Sequence, residues 1–168
     1  MSGDSPYVLG FEPILKEKVW GGRRLERYGK RLEAGRSYGE SWELADLTST
    51  AASGGGGGSA HSVIDRGPWS GRTIGDAVLA CGPELVGDVV WGRVRGEATP
   101  AFPLLIKLLD AREHLSVQVH PSRAFAAEHP WAHLKTESWL VLESESAELP
   151  GGRVEEGTIF KGIEAGVD

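Results

Sequence analysis

The sequence predicts a mainly β domain with a few helical insertions, and three observations carry that prediction. Glycine is the outlier in composition, at 24 of 168 residues, about twice the usual ~7%, which implies many tight turns. Several short segments alternate apolar and polar residues with the period of two that a half-buried strand requires. One segment alone, residues 74–81, carries a clean helical period. At 168 residues with 40% hydrophobic side chains, the chain has room and apolar material for a single domain spanning 1–168, not a disordered tail.

Charge and cysteine usage narrow the function classes. The net charge is −6, so the broad basic footprint of a nucleic-acid binder is missing, and any anionic ligand must be held by a local cluster. The lone Cys81 cannot form an intrachain disulfide or a cysteine-rich zinc site, which points to a reducing compartment. Residues 1–20 carry Glu12, Lys16, Glu17 and Lys18 where a signal peptide would need its apolar stretch. No run approaches the ~18 apolar residues of a membrane span. The expectation is a cytoplasmic protein with neither a membrane nor a nucleic acid as partner.

Taken in order, residues 7–11 are a short β-favouring run ended by Pro13, and Trp20-Gly21-Gly22 reads as a turn. Gly39-Glu40-Ser41-Trp42-Glu43-Leu44 alternates as a half-buried strand, with Glu40, Trp42 and Leu44 on one face and Ser41 and Glu43 on the other. Residues 48–62, with five glycines at 54–58, read as a flexible loop. That run lacks the last glycine of a dinucleotide fingerprint and the lysine of a phosphate-binding loop, and His61 beyond it reads as solvated. Thr73 caps a helix that places Ile74, Ala77, Val78 and Cys81 on one buried face, stopped by Gly82-Pro83. Residues 82–100 read as loop with at most a short helix at 84–86. Residues 102–109 form a nearly continuous apolar run, as in a strand buried on both faces. Lys107 interrupts it, and there a lysine either snorkels out at a sheet edge or is paired and useful.

The chemistry-bearing residues lie downstream. In Leu115-Ser116-Val117-Gln118-Val119-His120, strand alternation would separate Leu115, Val117 and Val119 from Ser116, Gln118 and His120. The Cα atoms of Gln118 and His120 would then stand ~6.6 to 7 Å apart, close enough to share a metal ion above the strand. Pro121 ends the strand and Ser122 caps a short helix. His129 and His133 stand four apart, but Pro130 argues against a helical zinc pair. Lys135-Thr136-Glu137-Ser138-Trp139 resumes a β pattern with Lys135, Glu137 and Trp139 facing one way; by default Lys135 and Glu137 are a solvated pair. From the residues alone, Gln118, His120 and Glu137 read either as an ordinary polar strand edge or as one metal site.

The run Phe102-Pro103-Leu104-Leu105-Ile106-Lys107-Leu108-Leu109-Asp110-Ala111, followed by Val117-Gln118-Val119-His120-Pro121 and Lys135-Thr136-Glu137-Ser138-Trp139, resembles the signature of type I phosphomannose isomerases. Trp20-Gly21-Gly22, Gly39-Glu40-Ser41-Trp42-Glu43 and Gly71-Arg72-Thr73 fall upstream in the order that family has them. The resemblance implies a cupin-type fold, a double-stranded β-helix or jelly roll with helical insertions, binding one zinc ion per complete chain. It implies an isomerase of carbohydrate metabolism that interconverts mannose 6-phosphate and fructose 6-phosphate, with a sugar phosphate as its partner. Gln118, His120 and Glu137 match the family's zinc ligands, and Lys107 and Lys135 its active-site lysines. Glu40 and Trp42 match the strand near the sugar pocket, and Ser116, on the face of Gln118 and His120, joins the pocket set.

Those residue types suit the reaction. Aldose-ketose isomerisation moves a proton between C1 and C2 through an enediol, and the sugar oxygens must be polarised as it leaves. A zinc held by imidazole, carboxylate and a neutral amide oxygen keeps positive charge and open positions. Lysines offset the repulsion between a dianionic substrate and an acidic protein. The family's fourth ligand, a histidine, and a catalytic arginine have no match within these 168 residues, so the resemblance covers roughly the N-terminal part of such an enzyme and implies an incomplete barrel. The rival reading is a non-catalytic cupin module that binds sugar phosphate or metal.

Overall fold

The computed structural model describes residues 8–49, 58–96, 100–129, 131–132, 134–149, 151–159 and 162, with the backbone alone at 147–149 and 153. By contacts the chain divides into two units, Met1–Ser116 and Val117–Asp168.

The first unit is organised by an antiparallel sheet of β1 (Ile14–Gly22), β2 (Tyr38–Leu44) and β5 (Ile106–Leu109), with β2 in the middle. The alternation at 39–44 does produce a strand, but residues 38–42 are buried on both faces, not one. On one face Trp42 forms a core with Ala45 and Ala60, flanked by Ile14, Leu47 and Leu105. Trp20 packs over Gly39, where a Cβ would lie 2.5 Å from the indole ring. Trp20-Gly21-Gly22, expected to turn, instead continues β1 to its end. Gly21 serves close approach: a Cβ there would stand 2.4 Å from the Tyr38 carbonyl carbon, a reason for glycine in a strand that sequence cannot separate from a turn. Conversely, residues 8–10 form no strand and Phe11 makes only an isolated bridge to Ile64; Tyr7 lies outside the described residues. The apolar run at 102–109 yields only β5, an edge strand on which Ile106 is exposed.

Two short strands, β3 (Asp46–Leu47) and β4 (Ala60–His61), pair across the base of the glycine-rich loop. Most of that loop, residues 50–57, lies outside the described residues. Helix α1 (Ile74–Cys81) starts as expected at Thr73, whose hydroxyl accepts from the Asp76 N–H while the Asp76 carboxylate accepts from the Thr73 N–H, a reciprocal capping box. Ile74, Ala77 and Val78 are buried; Cys81, at the end of the face, is only half-buried. Pro83 does not simply stop the chain: it opens α2 (Pro83–Val86), and α3 (Asp88–Val94) follows where a loop was expected. Gly87 before α3 and Gly92 within it hide that helix, because glycine is a poor helix former. A second core joins Ile64, Ile74 and Ala77 to Leu9, Phe11, Leu44, Trp69, Leu85 and Phe102.

In the second unit, Ser122 caps α4 (Arg123–Glu128) by accepting from the Phe125 N–H at 3.1 Å. A hairpin pairs β6 (Ala147–Leu149) with β7 (Arg153–Glu155) through Gly151 and Gly152, both at positive φ. Residues 115–120 and 135–142, expected as strands, have no ladder partner among the described residues. Of the apolar row expected on one face, Val117 and Val119 are almost fully exposed and Leu115 is half-buried. Alternation states which side chains share a face; a strand also needs a neighbour to bond its backbone. The chain thus combines small sheets with few helices, and no helix among the described residues is long and apolar enough to cross a membrane.

Candidate functional site

Two clusters hold most of the residues singled out from the sequence, one in each unit. In the first unit, Glu40 on β2 is buried, and both its carboxylate oxygens are engaged. Lys107 Nζ donates to Oε1 at 2.9 Å, and the Trp42 indole N–H donates to Oε2 at 2.8 Å. Strand register explains the meeting: Glu40 and Trp42 are two apart on β2, and Lys107 stands directly opposite Trp42 on β5, so all three side chains share one face. Lys107 therefore does not snorkel into solvent from its edge strand, since its side chain is only 17% exposed. A buried carboxylate and a largely buried ammonium each relieve the desolvation cost of the other. Lys16, opposite Glu40 on β1, completes the face, with its Nζ 4.6 Å from the centre of the Trp42 ring. Behind β2, Ser41 Oγ donates to Glu43 Oε1 at 2.6 Å and Lys30 Nζ donates to Glu43 Oε2 at 2.5 Å.

His61 is not simply solvated. Its Nδ1 lies 2.7 Å from Asp46 Oδ1, directly across the β3–β4 pair, and the other Asp46 oxygen accepts from the Phe102 N–H at 2.8 Å. This carboxylate ties the ends of the glycine-rich loop to the segment leading into β5, a contact spanning 56 residues that no local pattern announces. Neither Lys16 nor Asp46 is singled out by the sequence. The signal for Lys16 was its place beside apolar Ile14 and Leu15 in a strand-length run; for Asp46 there was none.

In the second unit, His120 Nε2 stands 3.5 Å from Glu137 Oε2, and Lys135 Nζ stands 2.5 Å from Glu137 Oε1. Two ligand atoms bound to one tetrahedral zinc, each about 2.0 to 2.2 Å away, lie about 3.3 to 3.6 Å apart. A direct hydrogen bond between imidazole and carboxylate would be shorter, about 2.7 to 3.2 Å. The His120–Glu137 separation is longer than a hydrogen bond and within ion-pair range, and Lys135 engages the second carboxylate oxygen. Gln118 and Ser116 are exposed. Among the described residues no three His, Cys, Asp or Glu side chains form a metal-binding group. His129 Nδ1 lies 2.9 Å from the Phe125 carbonyl oxygen and its ring stacks on Phe125 at 3.9 Å; His133, the other member of the pair weighed from the sequence, lies outside the described residues.

Comparison with known proteins adds independent findings. A model of the type I phosphomannose isomerase catalytic domain matches residues 8–150. The probable mannose-6-phosphate isomerase GmuF of Bacillus subtilis is 38% identical over 146 residues, covering 85% of this chain and 40% of that protein. A mannose-6-phosphate isomerase of Streptococcus mutans is 35% identical over 147 residues, covering 84% of this chain and 39% of that protein. The crystal structure of mannose 6-phosphate isomerase from Bacillus subtilis matches with a TM-score of 0.52 at 31% identity, over 75% of this chain and 34% of that one. The chain thus spans about 40% of the length of these curated relatives.

Proposed function

The chain belongs to the type I phosphomannose isomerase family, and from that premise we propose that the protein it represents interconverts mannose 6-phosphate and fructose 6-phosphate in the cytoplasm. In this reading residues 1–168 are one catalytic domain portion with a cupin jelly-roll plan. The observation that carries the reading is the His120–Glu137 pair at 3.5 Å with Lys135 on the second carboxylate oxygen. Its atoms and spacing suit zinc, with Gln118 as the third ligand.

His120 and Glu137 would hold the ion, with Lys135 orienting Glu137 by fixing one of its oxygens. When bound, zinc supplies Lewis acidity toward the sugar's oxygens. Lys107 carries three N–H donors, one of them engaged by Glu40; the others are donors for substrate oxygens or for charge developing on the enediol. Glu40 and Trp42 set the Lys107 position, and Ser116 belongs to the sugar pocket.

The test is a coupled isomerase assay on the complete protein together with its metal content. Expected are turnover of mannose 6-phosphate, about one zinc per chain, loss of activity with a chelator and recovery on adding zinc. A zinc-loaded protein without turnover would refute the isomerase reading. It would favour a non-catalytic cupin module, a reading that the exposure of Gln118 supports.

A further inference from the structure

We propose that Lys16 is a phosphate-binding residue, taking the phosphoryl group of a sugar phosphate on the β1–β2–β5 face. The proposal deepens the sugar-phosphate reading and rests on it for the identity of the ligand, though not for the presence of an anion site.

The argument begins with charge on one sheet face. Directly opposed residues of antiparallel strands share a face, so the pairs Lys16 with Glu40 and Trp42 with Lys107 put two cations and one anion together. The anion is already committed. Both Glu40 oxygens are occupied, one by Lys107 Nζ and one by the Trp42 indole. Lys107 is thereby neutralised and Lys16 is not. Among the described residues the Lys16 side chain makes no ion pair and no hydrogen bond, and its Nζ stands 4.6 Å from the centre of the Trp42 ring.

That contact holds the ammonium without cancelling its charge. A ring quadrupole attracts a cation, yet it contributes no net negative charge and no acceptor for the three N–H donors. Lys16 is half-buried, its stem beside a tryptophan that is itself fully buried. Its head is therefore restrained in place, and a positioned ammonium binds an anion at less entropic cost than a mobile one. Lys16 is also the last regularly paired residue before an irregularity in the β1–β2 register, the kind of feature that re-aims a side chain near a site. In a chain of net charge −6, a dianionic phosphate ester is repelled from most of the surface. It is drawn to a cation that no carboxylate offsets.

A packing role alone, in which the stem merely shields Trp42, predicts a different experimental result. Lys16→Met keeps the stem and removes the charge; Lys16→Arg keeps the charge. Titration of the complete protein with inorganic phosphate, followed by calorimetry, should show binding weakened on the order of ten-fold in Lys16→Met and largely retained in Lys16→Arg. The melting temperatures of both variants should stay near that of the wild type. In the isomerase assay Lys16→Met should raise KM for mannose 6-phosphate more than it lowers kcat. Equal phosphate affinity in wild type and Lys16→Met, or no phosphate binding by the wild type, overturns the proposal. Phosphate binding lost in Lys16→Met from a protein without turnover upholds the site while refuting the isomerase reading.

Discussion

Replacing Glu40 with glutamine is expected to destabilise the protein by about 2 to 3 kcal/mol, near the low end for breaking a buried ion pair. The reasoning follows the atoms. Glutamine keeps the volume and one oxygen for the Trp42 indole, now 2.8 Å away, so that hydrogen bond survives. What disappears is the charge facing Lys107 Nζ at 2.9 Å. Removing one member of a fully buried pair costs about 3 to 5 kcal/mol because the other charge is left uncompensated; the Lys107 side chain keeps 17% exposure, so some hydration returns and the cost falls. Glu40→Ala should cost about 1 to 3 kcal/mol more, since the indole N–H is then also orphaned inside the core. Urea unfolding followed by tryptophan fluorescence, extrapolated to water, measures each value. The double variant Glu40→Gln with Lys107→Met removes both charges and should be clearly less destabilised than the sum of the single changes, by about 1 kcal/mol or more. A cost under about 0.5 kcal/mol for Glu40→Gln, the level of an ordinary surface substitution, or strict additivity in the double variant, would refute the claim that this pair is buried and coupled.

Other outcomes follow from the same coordinates. Thr73→Ala removes the α1 cap and should cost about 1 kcal/mol in the same unfolding assay. The Thr73 backbone N–H and then its hydroxyl hold the Asp76 carboxyl below the usual carboxylate range. A lowered folded-state value means that Asp76 contributes fully above the unfolded pKa, ~3.9, and progressively less as the pH falls through the folded value. The stability gap between wild type and Asp76→Asn should accordingly close on acidification below about pH 4, and a gap that widens there would contradict the capping assignment. Gly21→Ala forces a Cβ to within 2.4 Å of the Tyr38 backbone and should cost about 1 to 3 kcal/mol or more by overpacking; a neutral melting temperature would show that β1 and β2 do not approach this closely. Gln118→Ala and Glu137→Gln should each lower zinc content measured by elemental analysis after dialysis, and unchanged content in both would remove the proposed ligand set.

Much of the local architecture was legible without coordinates. The Thr73 cap, the helix behind it, the strand at 39–44 and the Ser122 cap are all encoded by neighbouring residues, because capping and alternation are local hydrogen-bonding and packing patterns. Where glycine was the signal, the reading was ambiguous. Gly21 marked close contact rather than a turn, and Gly87 and Gly92 concealed α3. The strands expected at 115–120 and 135–142 show the converse limit, since their side-chain pattern was clear while the backbone partners a strand requires are not found among the described residues.

The sequence by itself determined the family, because long ordered motifs preserve residue type and spacing whatever surrounds them. It also determined that Lys107 interrupts an apolar run and that Lys135 and Glu137 are two residues apart. Only the tertiary structure decided which charges meet. Lys107 is paired with Glu40, 67 residues earlier, Asp46 is shared between His61 and the Phe102 backbone, and the Lys16 ammonium stands over the Trp42 ring. Coulomb energy and desolvation depend on distance and burial rather than on position along the chain, so the partnering of ionic groups emerges only when strand register brings distant residues onto one face.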